Sequence, residues 1–221
     1  MRDLFEEKRK RMVEELKLEI GISDKVANAM LRVPRHLFVP PPYDREAYLD
    51  TPLPIGSGQT ISAPHMVAIM CDLLDLKEGE KVLEVGGGSG YHAAVVAEIV
   101  GKKGKVVAIE RLPELAERAK KVLRYLGYDN VIVVIGDGSK GYPEEAPYDK
   151  IYVTASAPDI PKPLLDQLKP GGKMVIPIGK YDQYLYVVEK NEKGSVHKRI
   201  WGAVRFVLLI GEYGFKEWEA I

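Results

Sequence analysis

Val82-Leu83-Glu84-Val85-Gly86-Gly87-Gly88-Ser89-Gly90-Tyr91 is the stretch that leaves this chain the fewest choices of fold. Val82 to Val85 form a short apolar run with one acid inside it, and four of the next five residues are glycine. The run predicts a buried strand, and the pattern from Tyr91 (His92, Ala93, Ala94, Val95, Val96, Ala97, Ile99) predicts a helix that packs back on it. The glycines then occupy a strand-to-helix turn, where backbone N–H groups approach a ligand with no side chain in the way. In an open α/β sheet that turn lies at the carboxyl edge, where nucleotides bind. A nucleotide-like cofactor is therefore expected, with a ligand-free tight turn as the alternative.

The spacing narrows the cofactor. Gly86, Gly88 and Gly90 make G-x-G-x-G, whereas the dinucleotide fingerprint is G-x-G-x-x-G and would need glycine where Tyr91 stands. No Gly-Lys-Ser/Thr follows, so a phosphate-cradling P-loop is excluded. Glu84 would repel a pyrophosphate but suits a ligand that carries an ammonium group, and S-adenosyl-L-methionine is such a ligand. Two further acids end strand-like runs on the same edge. Glu110 closes Lys105 to Ile109, 20 residues beyond Gly90, the position from which an acid accepts hydrogen bonds from ribose hydroxyls. Asp137 closes Val133 to Gly136 and precedes Gly138, placed to meet an adenine amino group. Glu110 alone could equally be a solvated strand end.

From residue 80 onward strand and helix patterns alternate, with strands at 82–85, 105–109, 131–135, 150–153 and 173–178 and helices near 91–100, 112–126 and 161–168. Such alternation predicts a doubly wound, mostly parallel α/β sheet covered on both faces. Tyr184 to Glu189 and Ile200 to Ile210 have no helix between them and predict an antiparallel hairpin at one edge. Before the sheet, residues 1–20 read as an amphipathic helix with Phe5, Met12, Val13, Leu16 and Ile20 on its apolar face, and a short helix over Asp24 to Leu31 follows Ser23 as N-cap. One domain is expected, with an N-terminal segment to residue 78, a cofactor core over 79–180 and C-terminal strands over 181–221. Pro40-Pro41-Pro42-Tyr43 matches a WW ligand and is similar to the N-P-P-Y site of amino-methylating enzymes. That site follows the fourth strand, however, and here Thr154-Ala155-Ser156 follows it, so the tetrapeptide reads as a stiff connector.

With Leu168-Lys169-Pro170-Gly171-Gly172 added, the glycine loop and strand-end acids resemble the class I S-adenosylmethionine-dependent methyltransferases. More specifically, Gly58-Gln59-Thr60-Ile61-Ser62-Ala63-Pro64-His65-Met66 resembles the signature of the protein-L-isoaspartate (D-aspartate) O-methyltransferases, supported by Val33 to Pro40, Pro52 to Gly56 and Val204-Arg205-Phe206-Val207. The resemblance implies a Rossmann-like methyltransferase fold with an antiparallel C-terminal edge. It also implies methyl transfer from S-adenosyl-L-methionine to the free α-carboxylate of L-isoaspartyl residues in damaged proteins, whose ester closes to a succinimide and reopens to aspartate. It assigns Ser62 as the residue that holds that carboxylate, with Thr60, Ile61, Val204 and Phe206 around the substrate, Glu84, Gly86, Gly88, Gly90, Glu110, Asp137 and Gly138 around the cofactor, and His65 with the substrate-binding residues, bordering either the substrate or the cofactor. A carboxylate with pKa near 4 is already an anion at neutral pH, so the chemistry asks for orientation and partial exclusion of water and for no general base. Ser62 could alternatively be a plain helix N-cap ahead of Pro64.

Composition excludes several classes. Lys+Arg and Asp+Glu balance at 32 each, which removes any general attraction to nucleic acid or to an anionic membrane. No apolar run is long enough to span a bilayer, and the charged N-terminus does not resemble a signal peptide. The single cysteine, Cys71, lies in an apolar helical pattern and reads as buried and structural, which fits a cytoplasmic protein, and a monomer is expected. His36, His65, His92 and His197 have no metal-ligand spacing, so no metal is expected. A small-molecule or RNA methyltransferase, a nicotinamide-dependent dehydrogenase and a catalytically idle adenosylmethionine binder remain as alternatives.

Overall fold

The structure, a computed structural model, describes residues 2–220. Helix α1 (Arg2–Ile20) and helix α2 (Asp24–Arg32) come first, the latter capped by Ser23, whose side chain accepts from the Val26 N–H. Met12, Val13 and Leu16 bury the inner face of α1 and Phe5 stacks on His36, but Ile20, the last residue of the helix, is exposed. A two-stranded arm, β1 (Leu53–Gly56) and β2 (Gln59–Ile61), then leads into α3 (Pro64–Leu74).

The core follows as β3 (Lys81–Val85), α4 (Tyr91–Val100), β4 (Lys105–Glu110), α5 (Pro113–Tyr125), β5 (Val131–Ile135), β6 (Tyr148–Val153), α6 (Lys162–Gln167), β7 (Leu168–Ile178), β8 (Gln183–Lys190) and β9 (Val196–Val204). The sheet order is β5-β4-β3-β6-β7-β8-β9, parallel through β7 and antiparallel for the last two. Side-chain alternation splits the apolar residues into two layers. Val82, Val106 and Tyr152 face α3 and α4, while Leu83, Val107 and Ile151 face the side covered by α6. The chain order reverses between β3 and β6, which puts a switch point at the glycine turn.

Two edges differ from the sequence reading. β7 begins at Leu168, since Leu168 pairs with Tyr148 and the ladder resumes at Lys173 beside Lys150 across a register shift. Pro170 and the two glycines after it therefore sit within the strand as an irregularity. β9 covers 196–204 instead of 200–210, because its partner β8 starts at Gln183, opposite Val204. Past that point the chain leaves the hairpin and returns to the sheet, with Ser156 N–H donating to Val207 O and Leu209 N–H to Ser156 O, each at 2.8 Å.

Candidate active site

The glycine turn is pinned from both neighbouring strands. The N–H groups of Gly86 and Gly87 donate to Ile109 O at 2.9 Å, while Thr154, just past β6, donates its hydroxyl to Val85 O at 3.1 Å and Gly86 O at 2.6 Å. Gly86 has φ +94°, and a Cβ there would lie 2.5 Å from Thr154 Oγ1, so both conformation and space require glycine. Gly88 and Gly138 join Gly86 in lining a cavity of about 450 Å³ at the carboxyl ends of β3, β4 and β5, and Gly90 caps α4 behind it. A Cβ on Gly138 would stand 2.6 Å from Val85 Cγ1, so this wall stays flat.

Glu110 lines the same cavity and is buried, so it is not a solvated tip. Its carboxylate accepts from Gly88 N–H at 2.8 Å and from Leu112 N–H at 2.9 Å. A carboxylate offers about four acceptor positions, which leaves two for a pair of hydroxyls. Asp137 is otherwise placed than the sequence predicts. Its Oδ1 accepts from Ser139 N–H and Oγ at 2.9 and 2.6 Å, its Oδ2 accepts from Glu212 N–H at 2.8 Å, and it does not line the cavity. Gly138 thus lines the cavity, while Asp137 fastens the C-terminal segment that walls it.

A second cavity of about 40 Å³ lies beneath the turn and shares Thr60, Gly86, Gly88 and Thr154 with the first. Ser62, Ile61, Glu84, Tyr91 and His92 complete much of its lining. Glu84 is 1% exposed on the helix-facing side of β3, in register beside Tyr152. Its Oε2, the hydroxyls of Tyr91 and Tyr152 and the Nδ1 of His92 are all buried without a hydrogen-bond partner among the described residues. Burial pushes the Glu84 carboxyl well above the usual carboxylate range; the nearby Tyr152 hydroxyl works against that and the Glu110 charge adds to it. Burial also depresses His92 to about 3, so its ring is neutral and faces Cys71 Sγ at 3.4 Å. Cys71 is buried, and burial raises its thiol pKa, as expected of a structural cysteine.

Ser62 is not a helix cap. Ala63 holds the N-cap position of α3 and makes no side-chain capping bond, and Ser62 lines the small cavity. Thr60 borders both cavities, and Ile61 is packed in the core at the end of β2. His65 lines neither cavity, because its backbone N–H and Nδ1 both bond Asp50 Oδ1, at 2.8 and 2.9 Å. Phe206 lines the large cavity, whereas Val204 packs against the core at the end of β9 and does not.

Several lining residues were not singled out from sequence. Thr154 had a visible signal, since it ends the fourth strand on the edge where the acids were found. Gln183 had none: its side-chain amide closes a pair of bonds with Phe206, accepting from N–H at 2.7 Å and donating to O at 3.0 Å, across 23 residues. Arg205 and Leu209 likewise reach the cavity only through the return of the chain past β9, and Tyr181 reaches it from the turn between β7 and β8. Among the described residues no cluster of His, Cys, Asp or Glu could hold a metal ion, and no helix is long and apolar enough to cross a membrane.

Comparison with known proteins bears directly on this geometry. The profile of the protein-L-isoaspartate(D-aspartate) O-methyltransferase family matches residues 7–214. A protein-L-isoaspartate O-methyltransferase of Archaeoglobus fulgidus is 69% identical over 212 residues, covering 96% of this chain and 97% of the relative. One from Pyrococcus horikoshii is 58% identical over 215 residues, covering 96% of each. Among solved structures, a protein-L-isoaspartate O-methyltransferase superposes with TM-score 0.87 at 35% identity, covering 93% of this chain and 67% of that one. A Plasmodium falciparum beta-aspartate methyltransferase, solved with S-adenosyl-L-homocysteine, superposes with TM-score 0.81 at 32% identity over 91% and 98% of the two chains.

Proposed function

The chain belongs to the protein-L-isoaspartate(D-aspartate) O-methyltransferase family, and from that premise we propose how its residues divide the work of the reaction. It is an S-adenosyl-L-methionine-dependent enzyme that methylates the free α-carboxylate of isoaspartyl residues in damaged proteins, the first step in returning them through a succinimide to aspartate. The residues fit this cofactor. Glu84 is a buried carboxylate whose Oε2 lacks a partner, suited to an ammonium group, and Glu110 keeps acceptor positions for two ribose hydroxyls beside the flat wall at Gly138. When bound, the cofactor supplies an electrophilic methyl group on a sulfonium.

The chain's own contribution is to hold and orient. Ser62 donates its hydroxyl to the substrate carboxylate at the junction of the two cavities, and Thr60 and Phe206 line the approach of the peptide. Gly86 and Gly88 offer bare backbone on the other side of that junction. No residue needs to remove a proton, because the acceptor carboxylate is ionised at neutral pH. The histidines agree with this: His92 is buried and neutral, and His65 is engaged by Asp50. Orientation of this kind is worth several kcal/mol where a bimolecular step becomes effectively unimolecular.

The observation that carries the assignment of roles is the meeting of Ser62 and the unpartnered Glu84 in one small cavity that opens on the large one through Thr60, Gly86, Gly88 and Thr154. The test is methyl transfer from labelled cofactor to paired peptides that differ only in isoaspartate against aspartate, with calorimetry of S-adenosyl-L-homocysteine and NAD alongside. Labelling of the isoaspartyl peptide alone, with no NAD binding, is expected. Labelling of both peptides, or NAD binding tighter than S-adenosyl-L-homocysteine, contradicts the reading. The balanced charge and single buried thiol support a cytoplasmic enzyme without affinity for nucleic acid. We propose a monomer, which light scattering reads directly.

A further inference from the structure

Arg35 heads the largest fully buried side chains of the protein, at 0% exposure, and among the described residues no carboxylate pairs with it. Its Nε donates to Ala47 O at 2.7 Å and its Nη2 to Ser62 O at 2.9 Å. Its Nη1 has no partner of acceptable geometry, and neither has the Tyr91 hydroxyl, although the guanidinium lies 4.7 Å from the Tyr91 ring centre. Asp50, the carboxylate near enough to act on Arg35 through space, has its Oδ1 engaged by His65. Burial lowers the guanidinium pKa, but arginine remains protonated in proteins.

A buried cation with no counter-ion is costly, and an apolar side chain of similar volume would fill the same space without that cost. If Arg35 served only to hold two carbonyls, a neutral amide could do so. What sets the location apart is its neighbour: the guanidinium is hydrogen-bonded to the peptide of Ser62, and Ser62 and Tyr91 both line the small cavity. An uncompensated positive charge in low dielectric attracts an anion across a few ångströms far more strongly than it would in water.

We propose that Arg35 positions Ser62 and supplies, from behind it, the positive charge by which the enzyme selects an ionised α-carboxylate over a neutral group of the same shape. This rests on the assignment of Ser62 to the substrate carboxylate. The charge needs no ligand contact to act, and the cation–π contact with Tyr91 fixes its distance from the cavity.

The experiment compares wild type, Arg35→Gln and Arg35→Lys, each checked for folding by thermal unfolding and for S-adenosyl-L-homocysteine affinity. The reading is the ratio between KM for an isoaspartyl peptide and the inhibition constant of the matched isoasparaginyl peptide, in which an amide replaces the carboxylate. Wild type should favour the carboxylate by about tenfold or more, as expected for one charge pair at intermediate dielectric. Arg35→Gln should collapse that ratio towards one mainly by raising KM for the isoaspartyl peptide, and Arg35→Lys should restore most of it. A folded Arg35→Gln that weakens both peptides equally, or neither, overturns the proposal. If Arg35→Gln does not fold, wild type and Arg35→Lys still decide it: no preference for carboxylate in wild type, or a ratio lost in the lysine variant despite the retained charge, contradicts it. Absence of any methyl transfer to the isoaspartyl peptide in wild type would instead remove the functional reading itself.

Discussion

Glu84 and Glu110 lie on adjacent parallel strands at the same edge of the sheet, yet their surroundings are opposite. Glu110 borders the large cavity with two backbone N–H groups already bonded to it, whereas Glu84 borders the small one with an oxygen that makes no hydrogen bond of good geometry and only the Tyr152 hydroxyl nearby. The contrast extends to their neighbours. Asp137 and Gln183 on the large-cavity side spend their polar atoms on holding loops in place. On the small-cavity side the Tyr91 hydroxyl and one nitrogen of His92 make no hydrogen bond of good geometry. Buried polar groups are ordinarily satisfied, so a group of orphans clustered in one place marks where ligands complete the structure. On the proposed reading the large cavity is a preformed wall for adenosine, and the small cavity is completed by the ammonium and carboxylate groups that the ligands bring.

The largest effect that separates the two walls is expected at Ser62. Ser62→Ala should lower methyl transfer to an isoaspartyl peptide by roughly 10- to 1000-fold, about 1.4–4 kcal/mol at 1.36 kcal/mol per decade, with cofactor affinity near normal. Because Ala63 is the N-cap of α3, thermal unfolding should shift by no more than about 0.5 kcal/mol, and the loss should hold across neutral pH. Steady-state kinetics beside unfolding curves check both; a destabilised but fully active variant would show that Ser62 serves the fold.

Glu110→Ala should weaken S-adenosyl-L-homocysteine binding by about 1–3 kcal/mol in calorimetry, the range for buried groups left without partners. Part of that loss will come from freeing the N–H groups of Gly88 and Leu112. Unchanged affinity in a folded variant would make Glu110 a brace of the turn alone.

Glu84→Gln sharpens the contrast through pH. The folded-state pKa of Glu84 lies above its unfolded value, so the folded protein binds this proton more tightly than the unfolded chain does. Stability is therefore highest below the ordinary carboxylate range and falls as pH rises through it towards the raised value. His92 acts oppositely, adding stability as pH rises from about 3 to its ordinary range, but it does so in both proteins and cancels in their difference. The ligand-free Glu84→Gln variant should gain about 1–2 kcal/mol over wild type at pH 8 and little at pH 4, measured by denaturant unfolding. A gap that does not widen with pH would mean that Glu84 is satisfied in solution.

The smallest effect is expected at Asp137. Asp137→Asn should cost cofactor affinity only about 0.5 kcal/mol, because the carboxylate bonds Ser139 and Glu212 and stays off the cavity lining. A 100-fold loss in calorimetry would return Asp137 to the adenine contact that its sequence position predicts.

These residues also mark what a sequence can disclose. The strand-turn-helix at Val82 to Val100 was legible because apolar period and glycine placement are local, and so was the acid edge, since Glu84, Glu110 and Asp137 each end or interrupt an apolar strand. Ser62 and Phe206 were legible through resemblance and do reach the cavities. Asp137 lies off the cavity lining because it is tied to Ser139 and to the Glu212 N–H, 75 residues away, and no local pattern announces the latter. His65 was misplaced for the same reason, its ring being turned aside by Asp50. Val196 to Arg199 was missed as a strand because an exposed edge strand needs no apolar alternation. Arg35 was visible only as part of a motif; its burial and its bond to Ser62 are properties of the fold.

The division of labour between the walls is tested most directly by single-turnover transfer from pre-bound labelled cofactor, with wild type, Glu110→Ala and Ser62→Ala run side by side at saturating cofactor and isoaspartyl peptide. Saturation compensates a binding defect but not a defect in orientation. Glu110→Ala should recover to within about threefold of the wild-type rate, while Ser62→Ala should remain at least about tenfold slower. Recovery of Ser62→Ala to the wild-type rate, or a persistent deficit of equal size in Glu110→Ala, would contradict the account.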